Sequence, residues 1–327
     1  MNSKVQTALG FLQPIRHFME DSEVTEIMVN APNTVWVKRF GQRPLQASVT
    51  FSDQQIKAAI TMLASVSQRQ VGDESASLDK AKIVSAGIPG FRFEAWMPPV
   101  AVLGPAFTAR KLASKLIPLE QYVEERTFPL EVGALLRDLV LGKRNLFVAG
   151  ATGSGKTTLC NALLQIVPPY ERLIVIQTIS ELIVRAPNHL LLESDEEQGY
   201  SISRILTSCL RGIPDRIIVG EVRGAEAYGL IKAANTGHPG GIATLHANSA
   251  MDTLERLEDM VMEGRPEMPM DAIRRRIAKS KPFLVFMDQI EREGRFLPTL
   301  VEIAEVTGYE DGSYITNPVY TYAKDGK

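Results

Sequence analysis

Eight residues constrain this chain more than any others: Gly150, Ala151, Thr152, Gly153, Ser154, Gly155, Lys156 and Thr157. They fit G-x-x-x-x-G-K-[ST], a phosphate-binding loop. The apolar run 145–149 before them reads as a buried strand, and 157–164 after them reads as a helix. That context separates a working loop from a chance Gly-rich turn. The physics is direct. Glycines let backbone N–H groups turn toward phosphate oxygens, and the helix N-terminus adds a partial positive charge. Lys156 is expected to reach the β- and γ-phosphates, and the Thr157 hydroxyl to hold Mg²⁺, with Thr158 completing the first turn. The expected ligands are therefore a nucleoside triphosphate and Mg²⁺.

A chain of 327 residues is expected to form two domains, because single cores seldom grow past about 250–300 residues. Hydrophobic residues at 45% and charged residues at 23% are ordinary for a globular protein. A formal charge of −2 and 7% aromatics, with no interleaved basic and aromatic stretch, argue against a nucleic-acid binder. No apolar run reaches the roughly 18–20 residues of a membrane-spanning helix. The first residues lack the apolar core of a signal peptide. Cys160 and Cys209 sit among apolar residues and read as reduced core thiols. A cytoplasmic location is expected.

The rhythm of the chain changes once. Residues 1–20 read as a helix, 23–30 and 34–38 as two strands joined by a turn at 30–33. Ser52 and Gln55 form a capping box ahead of a helix carrying Ile56, Ala59, Ile60 and Leu63. Gly- and Pro-rich segments follow, so 1–112 is expected to be a compact α+β domain. Charges gather over 113–128, the expected linker. From 129 to 327 strands alternate with helices: a helix ending near Gly142, then strands at 145–149, 173–176, 216–219 and 240–245. That alternation predicts an α/β domain with a mainly parallel sheet covered on both faces. Ligands of such sheets sit at the carboxyl ends of the strands.

Beyond the loop, the strand 216–219 leads into Glu221, where a Mg²⁺ ligand or a water-orienting base belongs in this fold class. An exposed Glu after a strand is the plainer alternative. His238 and His246, eight residues apart, are expected near a γ-phosphate as hydrogen-bond donors; a metal pair or a satisfied core histidine are the competing readings. Arg92, Arg110 and Arg211 are candidates for an arginine finger against surface salt bridges. Arg274, Arg275 and Arg276 with Lys279 and Lys281 read as a solvated helix face.

Taken in order, these motifs resemble one family. The phosphate loop is followed by Glu181-Leu182, by Arg211 ahead of Pro214-Asp215, by the run Val219 to Glu226, and by Gly237-His238 ahead of Thr244 to Asn248. The set resembles the traffic ATPases of type IV secretion and conjugation, relatives of pilus-assembly and type II secretion motors. Residues 23–30, Trp36, Arg92-Phe93 and Pro98-Pro99 agree, and Lys4 to Gly10 resembles the conjugal-transfer TrbB branch. The resemblance implies a RecA-like P-loop fold for 129–327 and a homo-hexameric ring that binds and hydrolyses ATP with Mg²⁺ and couples this to domain motion. It also implies partner ATPases and inner-membrane components, and a place on the cytoplasmic face of the inner membrane. It makes Glu221 the catalytic acid and a Mg²⁺ ligand with Thr157, Glu181 the acid of an Asp box, and His246 a strand-end histidine. Arg92 and Arg110 are the arginines that the first domain offers to nucleotide. One departure stands out: Gln177 and Thr178 replace two acids usual in the family. That departure motivates a second reading, an ATP-binding ring with slow or no hydrolysis; a RecA-like nucleic-acid motor is a third.

Overall fold

The computed structural model describes residues 3–67, 82–112, 116–196 and 198–323. The chain divides into two units, Met1–Ser114 and Lys115–Lys327.

The first unit opens with α1 (Ser3–Phe11), a 3₁₀ turn (Gln13–Ile15) and α2 (Arg16–Glu20). The single helix expected over 1–20 is thus broken, because Pro14 has no N–H to donate and opens a tighter turn. Strands β1 (Val24–Ala31), β2 (Thr34–Arg39) and β3 (Leu45–Ala47) precede α3 (Asp53–Ser67), and β4 (Ile83–Ile88), β5 (Phe91–Trp96) and β6 (Ala106–Lys111) follow it. The capping box is present: Ser52 N–H donates to Gln55 Oε1 at 3.0 Å, and Gln55 N–H donates to Ser52 Oγ at 3.3 Å. The six strands form an antiparallel sheet in the order β3-β2-β1-β6-β5-β4. Alternation decides its faces. Ile27, Val29, Val35, Val37, Phe93, Ala95, Phe107 and Ala109 pack into one core with Ile56, Ala59, Ile60 and Leu63 of α3. The other face carries a charged row set by register, Lys38 beside Glu26, Glu26 beside Arg110, and Arg110 beside Arg92. Arg92 and Arg110 are therefore cross-strand neighbours on the face away from the core.

The second unit begins with α4 (Leu119–Glu124) and α5 (Leu130–Leu141). Part of the expected linker is therefore a packed element rather than an open connection; residues 113–115 lie outside the described residues. Leu119 and Tyr122 are buried, and the Tyr122 ring stacks on Phe128 at 5.5 Å. The charges that suggested a linker, such as Glu120 and Glu124, ride on the other side of that short helix. Then come β7 (Leu146–Gly150), α6 (Lys156–Leu164), β8 (Leu173–Gln177), β9 (His189–Glu193), α7 (Ile202–Cys209) and β10 (Arg216–Val219). The chain continues with α8 (Glu226–Asn235), β11 (Ile242–Leu245), α9 (Asp252–Gly264), α10 (Met270–Lys279), β12 (Phe283–Arg292), β13 (Arg295–Glu310) and β14 (Ser313–Thr321).

These eight strands form one sheet in the order β14-β13-β12-β7-β11-β10-β8-β9. From β12 to β9 every pairing is parallel, and β12-β13-β14 is an antiparallel meander at one edge. Strands β7, β8, β10 and β11 are buried throughout, as strands covered on both faces must be. Helices α7 to α10 cover one face and α4 to α6 the other, giving two cores. The result is the expected RecA-like α/β domain. Cys160 and Cys209 are both buried and free. Among the described residues, no helix is long and apolar enough to cross a membrane.

Candidate nucleotide site

The phosphate loop leaves the carboxyl end of β7 and closes on the first turn of α6. Its first glycine is fixed by two constraints. Gly150 has φ +150°, and a Cβ there would lie 2.1 Å from the Met287 carbonyl oxygen of β12. Gly155, with φ +92°, caps α6 and faces Pro298 of β13, whose Cβ would be 3.1 Å from an added Cβ. Gln289 Nε2 donates to Gly153 O at 2.7 Å. The meander thus braces the loop. No sequence signal pointed to Gln289, because its position depends on β12 pairing with β7.

Lys156 is buried and its ammonium donates to Gly150 O and Ala151 O, both at 2.8 Å. The Ser154 Oγ is also buried and has no hydrogen-bond partner among the described residues. A buried ammonium ringed by loop backbone, with an unpartnered hydroxyl beside it, fits a phosphate group. Thr157 and Thr158 follow on the first turn of α6.

Two strands away, Glu221 follows β10. Its Oε1 is 3.1 Å from His246 Nε2, and its Oε2 accepts a 2.5 Å hydrogen bond from Arg223 Nη2. The backbone sets this geometry: Thr244 Oγ1 donates to Gly220 O at 2.5 Å, and Val222 N–H donates to Thr244 O at 2.8 Å. Burial pushes the Glu221 carboxyl up, but the hydrogen bonds from His246 and Arg223 outweigh it and hold it at about 2. Glu221 is therefore a carboxylate at neutral pH, the form needed by a base or a cation ligand. Thr157 and Glu221 together are hard oxygen donors of the kind Mg²⁺ takes, usually with waters and phosphate oxygens completing the shell. Among the described residues, no group of three or more His, Cys, Asp or Glu side chains is arranged to hold a metal ion without them.

The two histidines part company. His246 follows the carboxyl end of β11, beside Glu221. His238 precedes β11, at the opposite end of the strands, with Nδ1 3.3 Å from Pro214 O. Because β11 lies between them, only His246 stands at the end of the sheet that carries the loop. Arg211 likewise stands ahead of β10, at the amino end of the sheet and away from the loop of its own chain. That end is built for stability: Arg216 is fully buried and donates to Glu171 Oε2 at 2.5 Å and to Val140 O at 2.7 Å.

Gln177 ends β8, and its carboxamide oxygen accepts from Glu181 N–H at 3.0 Å and Leu182 N–H at 2.7 Å. It brackets the turn that carries Glu181. Asn161 of α6 holds the same turn, accepting from Ile183 N–H at 2.8 Å. Glu181 lies within electrostatic range of the Arg223 guanidinium, as does Glu226. Glu226 also accepts backbone N–H bonds from Arg223 at 2.6 Å and Gly224 at 3.1 Å. Arg223 was given no role by the sequence reading. The available signal was its spacing, two residues past Glu221, close enough for the two side chains to meet. In the basic run, Arg274 forms a two-pronged pair with buried Glu258 at 3.0 and 3.1 Å, and Arg275 pairs with Asp271 at 2.7 Å.

A family model described as "Type II/IV secretion system protein" matches residues 10–281. The chain is 35% identical over 318 residues to the conjugal transfer protein TrbB of Rhizobium radiobacter, covering 96% of this chain and 92% of that one. It is 33% identical over 297 residues to the type IV secretion system protein VirB11 of Brucella suis, covering 81% of each. Among solved structures it resembles the Legionella pneumophila ATPase DotB, with TM-score 0.63 and 17% identity over 89% of this chain and 79% of that one. It also resembles the pilus retraction motor PilT with bound ADP, with TM-score 0.60 and 20% identity over 90% of this chain and 81% of that one. At those identities the two structures speak for the fold.

Proposed function

Because the chain belongs to the type II/IV secretion system protein family, we propose that it is an ATP-hydrolysing motor of a conjugative-transfer or type IV secretion apparatus. It works as a homo-hexameric ring on the cytoplasmic face of the inner membrane, beside other ATPases and membrane components of that apparatus. The observation that carries this reading is the convergence of Lys156, Glu221 and His246 at the carboxyl ends of the neighbouring parallel strands β7, β10 and β11. Lys156 and the loop from Gly150 to Thr158 hold the phosphates. Bound Mg²⁺ supplies charge neutralisation for the transferring phosphoryl group, held by Thr157 and Glu221. Glu221 takes a proton from the attacking water at a carboxylate oxygen, with His246 fixing the carboxylate's orientation through Nε2. Glu181 stands beside this cluster on the turn bracketed by Gln177.

Arg92 and Arg110 act as the arginines of the first unit toward nucleotide, and Arg211 toward the nucleotide of a neighbouring subunit. Their alignment as cross-strand neighbours supports a joint role for the first two. Nucleotide turnover drives motion of one unit against the other. Gln177 gives its carboxamide oxygen to the backbone N–H groups of Glu181 and Leu182, so the turn that carries Glu181 is held without the acid usual in the family.

The test is Glu221→Gln. It should still bind ATP while phosphate release falls about 10²–10⁴-fold, the usual contribution of a positioned general base. Lost binding with retained folding would make Glu221 structural. Native mass measurement with and without ATP should give six copies of the chain; a monomer under both conditions rejects the ring. Strong stimulation of turnover by single-stranded DNA would favour the nucleic-acid motor.

A further inference from the structure

The contact between Arg223 and Glu221 sits awkwardly with the proposed role of Glu221. Arg223 Nη2 lies 2.5 Å from Oε2 and His246 Nε2 lies 3.1 Å from Oε1, so each carboxylate oxygen already carries a partner. An oxygen engaged by a guanidinium is poorly placed to take a cation or orient a water. His246 stands on a strand end and its bond can serve orientation. Arg223 is different in kind. Its side chain is 52% exposed, while its backbone is pinned by Glu226 Oε1 through the N–H groups of Arg223 and Gly224. The anchored backbone and exposed guanidinium allow the side chain to swing without disturbing β10. Its surroundings are acidic: Glu221, Glu181 and Glu226 all face it. A guanidinium fork matches phosphate oxygens as well as it matches a carboxylate.

We propose that Arg223 is a specificity-determining residue that reads the terminal phosphate of a nucleoside triphosphate, moving its guanidinium from Glu221 to that phosphate and so freeing Oε2 of Glu221. A diphosphate lacks the γ-phosphate, so Arg223 stays on Glu221 and the carboxylate stays engaged. The site thereby links the availability of its base to the presence of the bond to be broken. This inference rests on the nucleotide reading given above.

The experiment measures the dissociation constants of ADP and of AMP-PNP, a non-hydrolysable triphosphate, by calorimetry in the presence of Mg²⁺. Full-length wild type, Arg223→Ala, Arg223→Gln and Arg223→Lys are compared, with thermal melts confirming that each is folded. Arg223→Ala and Arg223→Gln should weaken AMP-PNP about tenfold, the scale of one charge-assisted hydrogen bond, and leave ADP within about twofold. Arg223→Lys should recover part of the loss, because a point charge replaces a two-pronged contact. An unchanged ratio of the two constants in folded Arg223→Ala, or equal losses for both nucleotides, overturns the assignment. Failure of the wild type to bind either nucleotide overturns the nucleotide reading itself, and the Arg223 assignment with it.

Discussion

Replacing Gln177 by leucine tests whether this residue is a lost catalytic acid or a structural bracket. Gln177 is only 2% exposed. Its Oε1 accepts from the backbone N–H groups of Glu181 at 3.0 Å and Leu182 at 2.7 Å. Leucine fills similar space and accepts nothing. Each N–H left without a partner away from water costs about 1–3 kcal/mol. Two of them, allowing for some relaxation, cost about 2–4 kcal/mol. With a urea slope near 3 kcal/mol/M for a unit of this size, the midpoint should fall by about 1 M. Hydrogen exchange at Glu181 and Leu182 should quicken, and phosphate release should fall because Glu181 is displaced. Gln177→Glu keeps an acceptor oxygen for the two backbone N–H groups and should hold turnover within a few-fold of wild type. A Gln177→Leu protein with the wild-type midpoint and wild-type exchange at those two amides would refute the bracket. A large gain in turnover on Gln177→Glu would show that the neutral amide had replaced a working acid.

Other outcomes follow from the same geometry. Glu171→Ala strands the fully buried Arg216 guanidinium and should destabilise the protein by about 3–5 kcal/mol in urea unfolding; a loss under about 1 kcal/mol would mean that the pair is dispensable. The pH dependence of Glu221 has a definite sign. Its folded pKa of about 2 lies below the ordinary 4.5, so ionisation stabilises the fold above that ordinary value, and the benefit is lost as pH falls toward 2. The urea-midpoint gap between wild type and Glu221→Gln should therefore shrink from pH 5 to pH 3, and a constant gap would contradict the pairing. Burial pushes the Cys160 thiol up to about 12 and Cys209 up to about 11. Neither should react with a thiol reagent at pH 8 before unfolding, so rapid labelling of native protein would contradict their placement.

What the sequence revealed depended on how local the signal was. The loop from Gly150 to Thr157, its strand and its helix are contiguous, so spacing alone placed them. The Ser52–Gln55 capping box was legible for the same reason. The strand predicted at 240–245 already set His246, which closes it, apart from His238, which precedes it, and β11 puts the two at opposite ends of the sheet. The segment around Tyr122 looked like a linker because its charges are easy to count, whereas stacking on Phe128 depends on the fold. Gln177 read as a missing acid, yet its carboxamide accepts two backbone bonds, a task that an amide and a carboxylate share. Gln289 and Pro298 act on the loop through the pairing of β12 with β7, a contact far apart in the chain. Arg92 and Arg110 could be singled out as arginines, but their alignment across β5 and β6 needed the register.

The most direct measurement is steady-state phosphate release from ATP in the presence of Mg²⁺, comparing wild type with Lys156→Ala. Lys156 is the buried ammonium that the loop encloses. The account predicts turnover by the wild type and only background from the variant. A wild-type rate indistinguishable from that of Lys156→Ala would contradict the claim that this chain is a motor driven at the Gly150–Thr157 loop.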